Sequence, residues 1–122
     1  MKIIELRVST DASGDGSAIT PHPVSGYIHS WYANFASGTD AGADTTLTCS
    51  SISGEPDFTI DAIANSKTDV RRYPRALTNA PSAAVGLNDT PILFCGKPKV
   101  TVAQGGANVA NAVIVTLVIV EM

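Results

Sequence analysis

Residues 112–120 read AVIVTLVIV, and this stretch decides the architecture that we expect for the chain. Successive side chains of a β-strand point to opposite faces, so residues two apart share a face. One face would carry Val113, Val115, Leu117 and Ile119, and the other would carry Ile114, Val118 and Val120. Both faces are apolar, which predicts a strand that is shielded from water on both sides.

The second face of this strand, formed by Ile114, Val118 and Val120, needs a cover. In a two-layer sandwich one face of each strand normally meets solvent. At about 1.5–3 kcal/mol for each buried side chain, leaving three exposed would forgo roughly 5–9 kcal/mol. The chain's own long loops could supply the cover, but continuous apolar surface usually marks a protein interface. We therefore expect these three residues to contact an identical subunit or another protein.

The same period of two recurs along most of the chain and predicts further strands. The turn formers Gly14, Gly16, Pro21 and Pro23 make residues 10–25 a long loop or an arm. Residues 104–108, QGGAN, could form a tight hairpin, so the last two strands should pair antiparallel. Within each expected strand, the following residues should share one face: Ile4, Leu6 and Val8; Tyr27, His29, Trp31, Ala33 and Phe35; Leu47 and Cys49; and Phe58, Ile60, Ala62 and Ala64.

Seven or eight short strands with no helical period predict one all-β domain over residues 1–122. The expected architecture is an antiparallel β-sandwich, jelly-roll-like. The chain has eight basic and eleven acidic residues, a net charge of -3, so its composition does not indicate the basic surface that binds nucleic acid. The N-terminus carries Glu5 and Arg7 where a secretory signal would be apolar, and the longest apolar run is too short for a membrane span. We expect neither a nucleic-acid partner nor a membrane partner.

The residues that usually carry chemistry do not fall into a catalytic or metal-binding pattern. Cys49 and Cys95 lack the CxxC spacing of zinc and redox sites, and we expect buried free thiols. A metal site at His22 and His29 would need these two residues to converge with carboxylates such as Asp11 or Asp15. Residues 11–16, DASGDG, lack the ligand spacing of a calcium loop and predict an ordinary turn. No nucleophile elbow or phosphate-binding loop is present. We expect a protein that is not an enzyme and that needs no metal or cofactor.

Two polar features remain as candidates for binding. Arg71, Arg72 and Arg75 surround Tyr73 and Pro74, and arginine forks suit an acidic partner or a phosphate; a solvated edge strand is the alternative. The proline predicts an edge, a bulge or an exit from the sheet.

Tyr32 is the better candidate for stacking against a ligand, because Trp31 shares its face with apolar residues and should lie in the core. Such stacking would suit a carbohydrate-binding or host-recognition module of a phage tail or surface assembly. That module is the alternative function.

Several short sequences together resemble small auxiliary head proteins of tailed bacteriophages. They are Tyr73-Pro74-Arg75, Gly96 leading into VTVAQGG at 100–106, the terminal apolar strand, the aromatic strand from Gly26, and the threonine-rich residues 44–48. The resemblance implies a capsid cement or decoration protein, often a homotrimer, that ties neighbouring subunits of the major capsid protein together. It also implies a location on the capsid surface of the virion after synthesis in the cytoplasm of a bacterial host.

Overall fold

The computed structural model describes residues 1–51, 57–78 and 87–122. Within these ranges the chain forms ten β-strands and no helix, which confirms the expected all-β class. The strands are β1 (Lys2–Val8), β2 (Gly16–Ile19), β3 (Val24–Phe35), β4 (Asp44–Ser51), β5 (Phe58–Ile63), β6 (Val70–Arg72), β7 (Arg75–Thr78), β8 (Leu87–Pro91), β9 (Leu93–Ala103) and β10 (Val113–Glu121).

Eight of these strands form one antiparallel sheet in the order β1-β10-β3-β9-β4-β5, with β2 added to β9 and β6 to β3. The strands β7 and β8 form a separate two-stranded ribbon. Residues 24–27 of β3 pair with residues 93–96 of β9. Beyond this junction β3 pairs with β6, whereas β9 pairs with β2. The sheet therefore has two parts, which we call the β10 half (β1, β10, β3, β6) and the β4 half (β2, β9, β4, β5).

The two halves share one hydrophobic core, as expected for an antiparallel sandwich. The inward-facing residues of β10 are fully buried, and they match the first face that the alternation predicts. Because apolar burial contributes about 25 cal/mol per Å², these side chains are a main source of stability. The core residues that the two halves supply include Leu6, Val8, Ile28, Trp31, Ala33, Leu47, Cys49, Val100, Val102, Val113, Val115, Leu117 and Ile119.

A β-bulge in β3 overturns part of the predicted alternation. Val118 pairs with Ser30 and Ile119 pairs with Ile28, so His29 is an extra residue in the ladder. The bulge turns Ile28 toward the core, and His29 leaves the face that holds Trp31. The predicted common face of Tyr27 and His29 with Trp31, Ala33 and Phe35 is therefore wrong for its first two members, since one inserted residue reverses a period of two.

A second irregularity lies in β5, where the register against β4 shifts between Leu47 and Thr48. Ile60 and Ile63 are buried, whereas Phe58 is 40% exposed and Ala62 is exposed. The predicted single face of Phe58, Ile60, Ala62 and Ala64 is wrong for the same geometric reason.

The expectation that residues 10–25 form a loop or arm throughout needs correction. Residues 16–19 form β2 and pair with residues 99–102 of β9 in the same chain. The turn before β2 is compact, because a Cβ at Gly16 would lie 2.2 Å from the carbonyl oxygen of Ser9. The glycine thus allows the close approach that brings a short strand onto the sheet.

The predicted hairpin between the last two strands is also wrong. The strand β10 pairs with β1 and β3, while β9 pairs with β2, β3 and β4. Residues 104–112 cross from one half to the other, and Thr10 holds them by accepting from the N–H of Val109 (2.9 Å) and donating to the carbonyl of Gly106 (2.6 Å). The turn residues do adopt positive φ, at Gln104 and Gly106 for example, but they serve a longer connection.

Candidate functional site

The outer face of the β10 half is the first candidate surface. Ile114, Val118 and Val120 all lie on the face of β10 that points away from the core, and each remains half-buried. Val118 pairs with Ile3 on β1, and the side chain of Ile3 is 70% exposed. The three residues therefore share one face of β10, as the alternation predicts, and the described part of the chain covers that face only partly.

The outer face of the β4 half has the opposite character. Three cross-strand pairs between β4 and β9 define it: Thr46 with Thr101, Thr48 with Lys99, and Ser50 with Lys97. These side chains alternate with the buried Leu47, Cys49, Val100 and Val102. Hydroxyl and ammonium groups are well hydrated, so this face suits contact with water. The outer face of the β10 half thus carries an apolar patch, beside the ion pair of Glu5 and Arg7. The β4 half exposes separate apolar side chains at Ile19, Phe58 and Leu93.

The predicted arginine segment separates into three different roles. Arg72 forms a fork on Asp61, with Nε to Oδ2 and Nη2 to Oδ1 both at 2.8 Å. The indole Nε1 of Trp31 also donates to Asp61 Oδ2 at 2.8 Å. Because β6 belongs to the β10 half and β5 to the β4 half, this cluster links the two halves. Arg72 has a structural partner within the chain.

The charge state of Asp61 follows from these contacts. Burial by itself would raise the pKa of Asp61, but hydrogen bonds from Arg72, Trp31 and the N–H of Ala62 lower that pKa below its usual value. The pKa of Arg72 is raised, chiefly by its hydrogen bond to Asp61. Both groups are therefore charged at neutral pH, and each compensates the other.

Arg71 lies on the outer side of β6, because it pairs with Tyr32 while its neighbours in sequence pair with core residues. Its Cζ lies 5.4 Å from the centroid of the Tyr32 ring, and its Nη1 donates to Ser30 Oγ at 3.2 Å. A guanidinium at this distance makes a cation–π contact. Tyr32 is half-buried, and Arg71 occupies one face of its ring, which leaves less of the ring for the predicted ligand stacking.

Arg75 is held at the bulge of β3. Its Nη1 donates to the carbonyls of Ile28 (3.4 Å), His29 (3.2 Å) and Pro74 (2.7 Å). Tyr73, two residues before Arg75, is 57% exposed and meets the ring of His29 edge-on, with ring centroids 5.9 Å apart. The predicted exit from the sheet at Pro74 is confirmed, since β6 ends before it and β7 begins after it.

These residues surround a cleft of about 390 Å³, which we call the arginine cleft. Tyr73 lies among the arginines in sequence, as noted above, but the place of His29 beside them was not predicted, because simple alternation puts His29 among the core residues. No local sequence signal marked the bulge. The cleft is lined by Ile60, Asp61, Val70, Arg71, Arg72, Tyr73, Pro74 and Arg75.

The two cysteines are free and differ in exposure. Cys49 is buried in the core, as expected, whereas Cys95 is exposed, which corrects the prediction of two buried thiols. Burial, followed by the charges of Cys95 and Asp57, raises the pKa of Cys49 to about 11. Its thiol is therefore protonated and unreactive at neutral pH.

The acidic turn before β2 is closed by its own hydrogen bonds. Asp11 Oδ1 accepts hydrogen bonds from the N–H groups of Ser13 (2.8 Å) and Asp15 (3.1 Å), so residues 11–15 form a hydrogen-bonded turn. Within residues 1–51, 57–78 and 87–122, no three histidine, cysteine or acidic residues are placed to hold a metal ion together. No helix in those ranges is long and apolar enough to cross a membrane.

No protein-family model, no curated protein and no solved structure matches the chain.

Proposed function

We propose that the chain is a non-enzymatic virion structural protein that binds the outer surface of an assembled phage head as a cement or decoration protein. The resemblance of its motifs to auxiliary head proteins suggests this role. The observation that carries it is the apolar outer face of the β10 half, where Ile114, Val118 and Val120 stay half-buried beside the exposed Ile3. The hydroxyl-rich and lysine-bearing outer face of the β4 half supplies the contrast.

Such a protein stabilises a capsid by linkage. A ligand that binds the assembled lattice better than free subunits shifts the equilibrium toward the lattice, and no reaction is needed. A homotrimer would place the apolar faces of its subunits against one another or against the major capsid protein. In this proposal the protein is made in the cytoplasm of the bacterial host and added to the head there.

The test combines two measurements on the purified full chain. Sedimentation velocity at several concentrations reports the oligomer, and co-sedimentation with heads that lack the protein, from the phage whose genome encodes it, reports binding. We expect a closed oligomer that binds heads. Ile3→Asp introduces a charge on the apolar face, on the strand that β10 separates from β3 and the arginine segment, and we expect it to weaken both association and head binding.

Thr101→Asp is the matched control, because it introduces the same charge on the outer face of the β4 half. We expect Thr101→Asp to behave like the unmodified protein. A monomer at all concentrations that also fails to bind heads would contradict the proposal. Equal losses in the two variants would contradict the proposal that the outer face of the β10 half is the specific contact surface.

A further inference from the structure

The arginine cleft carries an excess of positive charge in an acidic chain. Three of the four arginines of the chain line it, together with one carboxylate, Asp61. Because Arg72 and Asp61 compensate each other through their fork, the remaining cationic groups of the lining are Arg71 and Arg75. The cleft is thus locally basic, although the whole chain has a net charge of -3.

The side chains of Arg71 and Arg75 converge on the bulge of β3. Arg71 donates to the hydroxyl of Ser30, and Arg75 donates to the carbonyls of Ile28 and His29, which are the two preceding residues. All of these acceptors are neutral groups, so they orient the two guanidinium groups without neutralising them. Because both arginines are hydrogen-bonded to residues 28–30, an anion that reaches both guanidinium groups would meet two positive charges.

Tyr73, which lines the cleft, adds a hydroxyl donor, and His29 lies beside Tyr73 at the bulge. The His29 ring lies next to Ser30, with Nδ1 3.2 Å from Ser30 Oγ, and the exposed Tyr73 contacts the same ring. Arginine, histidine and tyrosine side chains all donate hydrogen bonds to oxyanions. Bulges often re-aim side chains at binding sites, and this one turns His29 away from the core toward Tyr73.

The lining also selects among anions. Ile60, Val70 and Pro74 contribute apolar walls, which would contact the methylene groups of an organic carboxylate but offer nothing to inorganic phosphate. The net charge of -3 opposes binding of a long polyanion such as nucleic acid. A cleft of about 390 Å³ has room for one or two side chains of a peptide.

We propose that the arginine cleft binds a glutamate or aspartate side chain on an acidic segment of a partner protein. The inference deepens the proposed function, and it rests on that function only in taking the partner to be a protein. It assigns the recognition of charge to the bulge of β3, while the outer face of β10 supplies apolar contact. The two surfaces can be tested separately, because the test of the cleft needs no capsid.

The first experiment titrates the full chain with a synthetic peptide of alternating Glu and Ser, and with a matched peptide in which Gln replaces Glu. Amide chemical-shift mapping and isothermal titration report site and affinity. We expect the Glu peptide to bind at least about tenfold more tightly, as hydrogen bonds to a charged group allow. The largest shifts should fall at residues 28–30 and 70–75.

Variants separate the cleft from general charge effects. Arg71→Gln should weaken the Glu peptide about tenfold, because it removes one cationic fork. Lys97→Gln removes the same charge on the outer face of the β4 half and should change affinity less than about twofold, since salt screens distant charges. Trp31 emission and thermal unfolding check that Arg71→Gln remains folded.

Three results would overturn the inference. The first is equal affinity for the Glu and Gln peptides, and the second is a set of shifts spread away from the bulge in the unmodified protein. The third is displacement of the Glu peptide by equimolar inorganic phosphate, which would make the site a phosphate site. If the unmodified protein binds heads but not the Glu peptide, the inference about the cleft is refuted and the proposed function stands. If it binds the Glu peptide but not heads, the proposed function is refuted and the inference about the cleft stands.

Discussion

Replacement of Asp61 by Asn tests how the two halves of the sheet are held together. The change keeps the shape of the side chain but removes the charge that Arg72 meets through two hydrogen bonds of 2.8 Å. Hydrogen bonds to charged groups contribute about 1.5–3 kcal/mol, whereas exposed ion pairs contribute about 0–1 kcal/mol. The side chains are 41% exposed for Arg72 and 14% for Asp61, so this pair lies between those cases. We expect D61N to lower the free energy of unfolding by about 1–2 kcal/mol.

The assay is urea unfolding followed by tryptophan emission. The chain contains one tryptophan, Trp31, and its indole donates directly to Asp61, so the signal comes from the perturbed cluster. If the slope of the transition is unchanged, a shift of its midpoint gives the stability difference. Arg72→Met and the double variant complete a mutant cycle that isolates the coupling of the pair.

The pH dependence of the D61N effect has a definite sign. The pKa of Asp61 is lower in the folded protein than its ordinary value of 3.8, so the carboxylate contributes stability that is fully present above that value. The contribution is lost as the pH falls through the folded-state pKa. The stability difference between the unmodified protein and D61N should therefore stay constant from neutral pH to about pH 5 and shrink below about pH 4.

Two results would refute this account of Asp61. A stability difference below about 0.5 kcal/mol at neutral pH would mean that the fork contributes no more than an ordinary surface contact. A difference that persists undiminished at about pH 2 would mean that the effect comes from shape and not from charge.

Two further predictions concern the core and the thiols. Leu117→Ala opens a cavity beneath β10, where Leu117 is fully buried, and should cost about 2–5 kcal/mol in urea unfolding; a loss below about 1 kcal/mol would place Leu117 outside the tight core. An excess of an aromatic disulfide reagent should label Cys95 rapidly in the native state and Cys49 only on unfolding, because Cys49 is buried with a pKa of about 11; rapid labelling of two thiols would contradict the buried position of Cys49.

Alternation predicted the strands well wherever the ladder is regular. In β10 and β4 each second residue is buried as the sequence indicates, because a period of two is a local property of extended backbone. The alternation failed in the part of β3 that precedes Trp31 and in β5, because a register shift in each strand reverses the faces. A bulge depends on the partner strand opposite it, so the strand's own residues do not reveal it.

The candidate surfaces divide in the same way. The apolar outer face of Ile114, Val118 and Val120 follows from sequence, because one strand contains all three residues and the spacing alone places them together. The distinct roles of Arg71, Arg72 and Arg75 do not follow from spacing. Their partners, Ser30, Asp61 and the carbonyls of β3, come from distant parts of the chain.

By itself, the sequence determined the all-β class, the buried face of β10 and the apolar character of its outer face, because side-chain periodicity and transfer free energy act locally. Only the tertiary structure decided that β10 pairs with β1 and β3 and that β2 joins the sheet. The same holds for the arginine cleft at the bulge. Strand pairing and hydrogen-bond partners depend on which segments meet in space, and many pairings are compatible with one hydrophobic pattern.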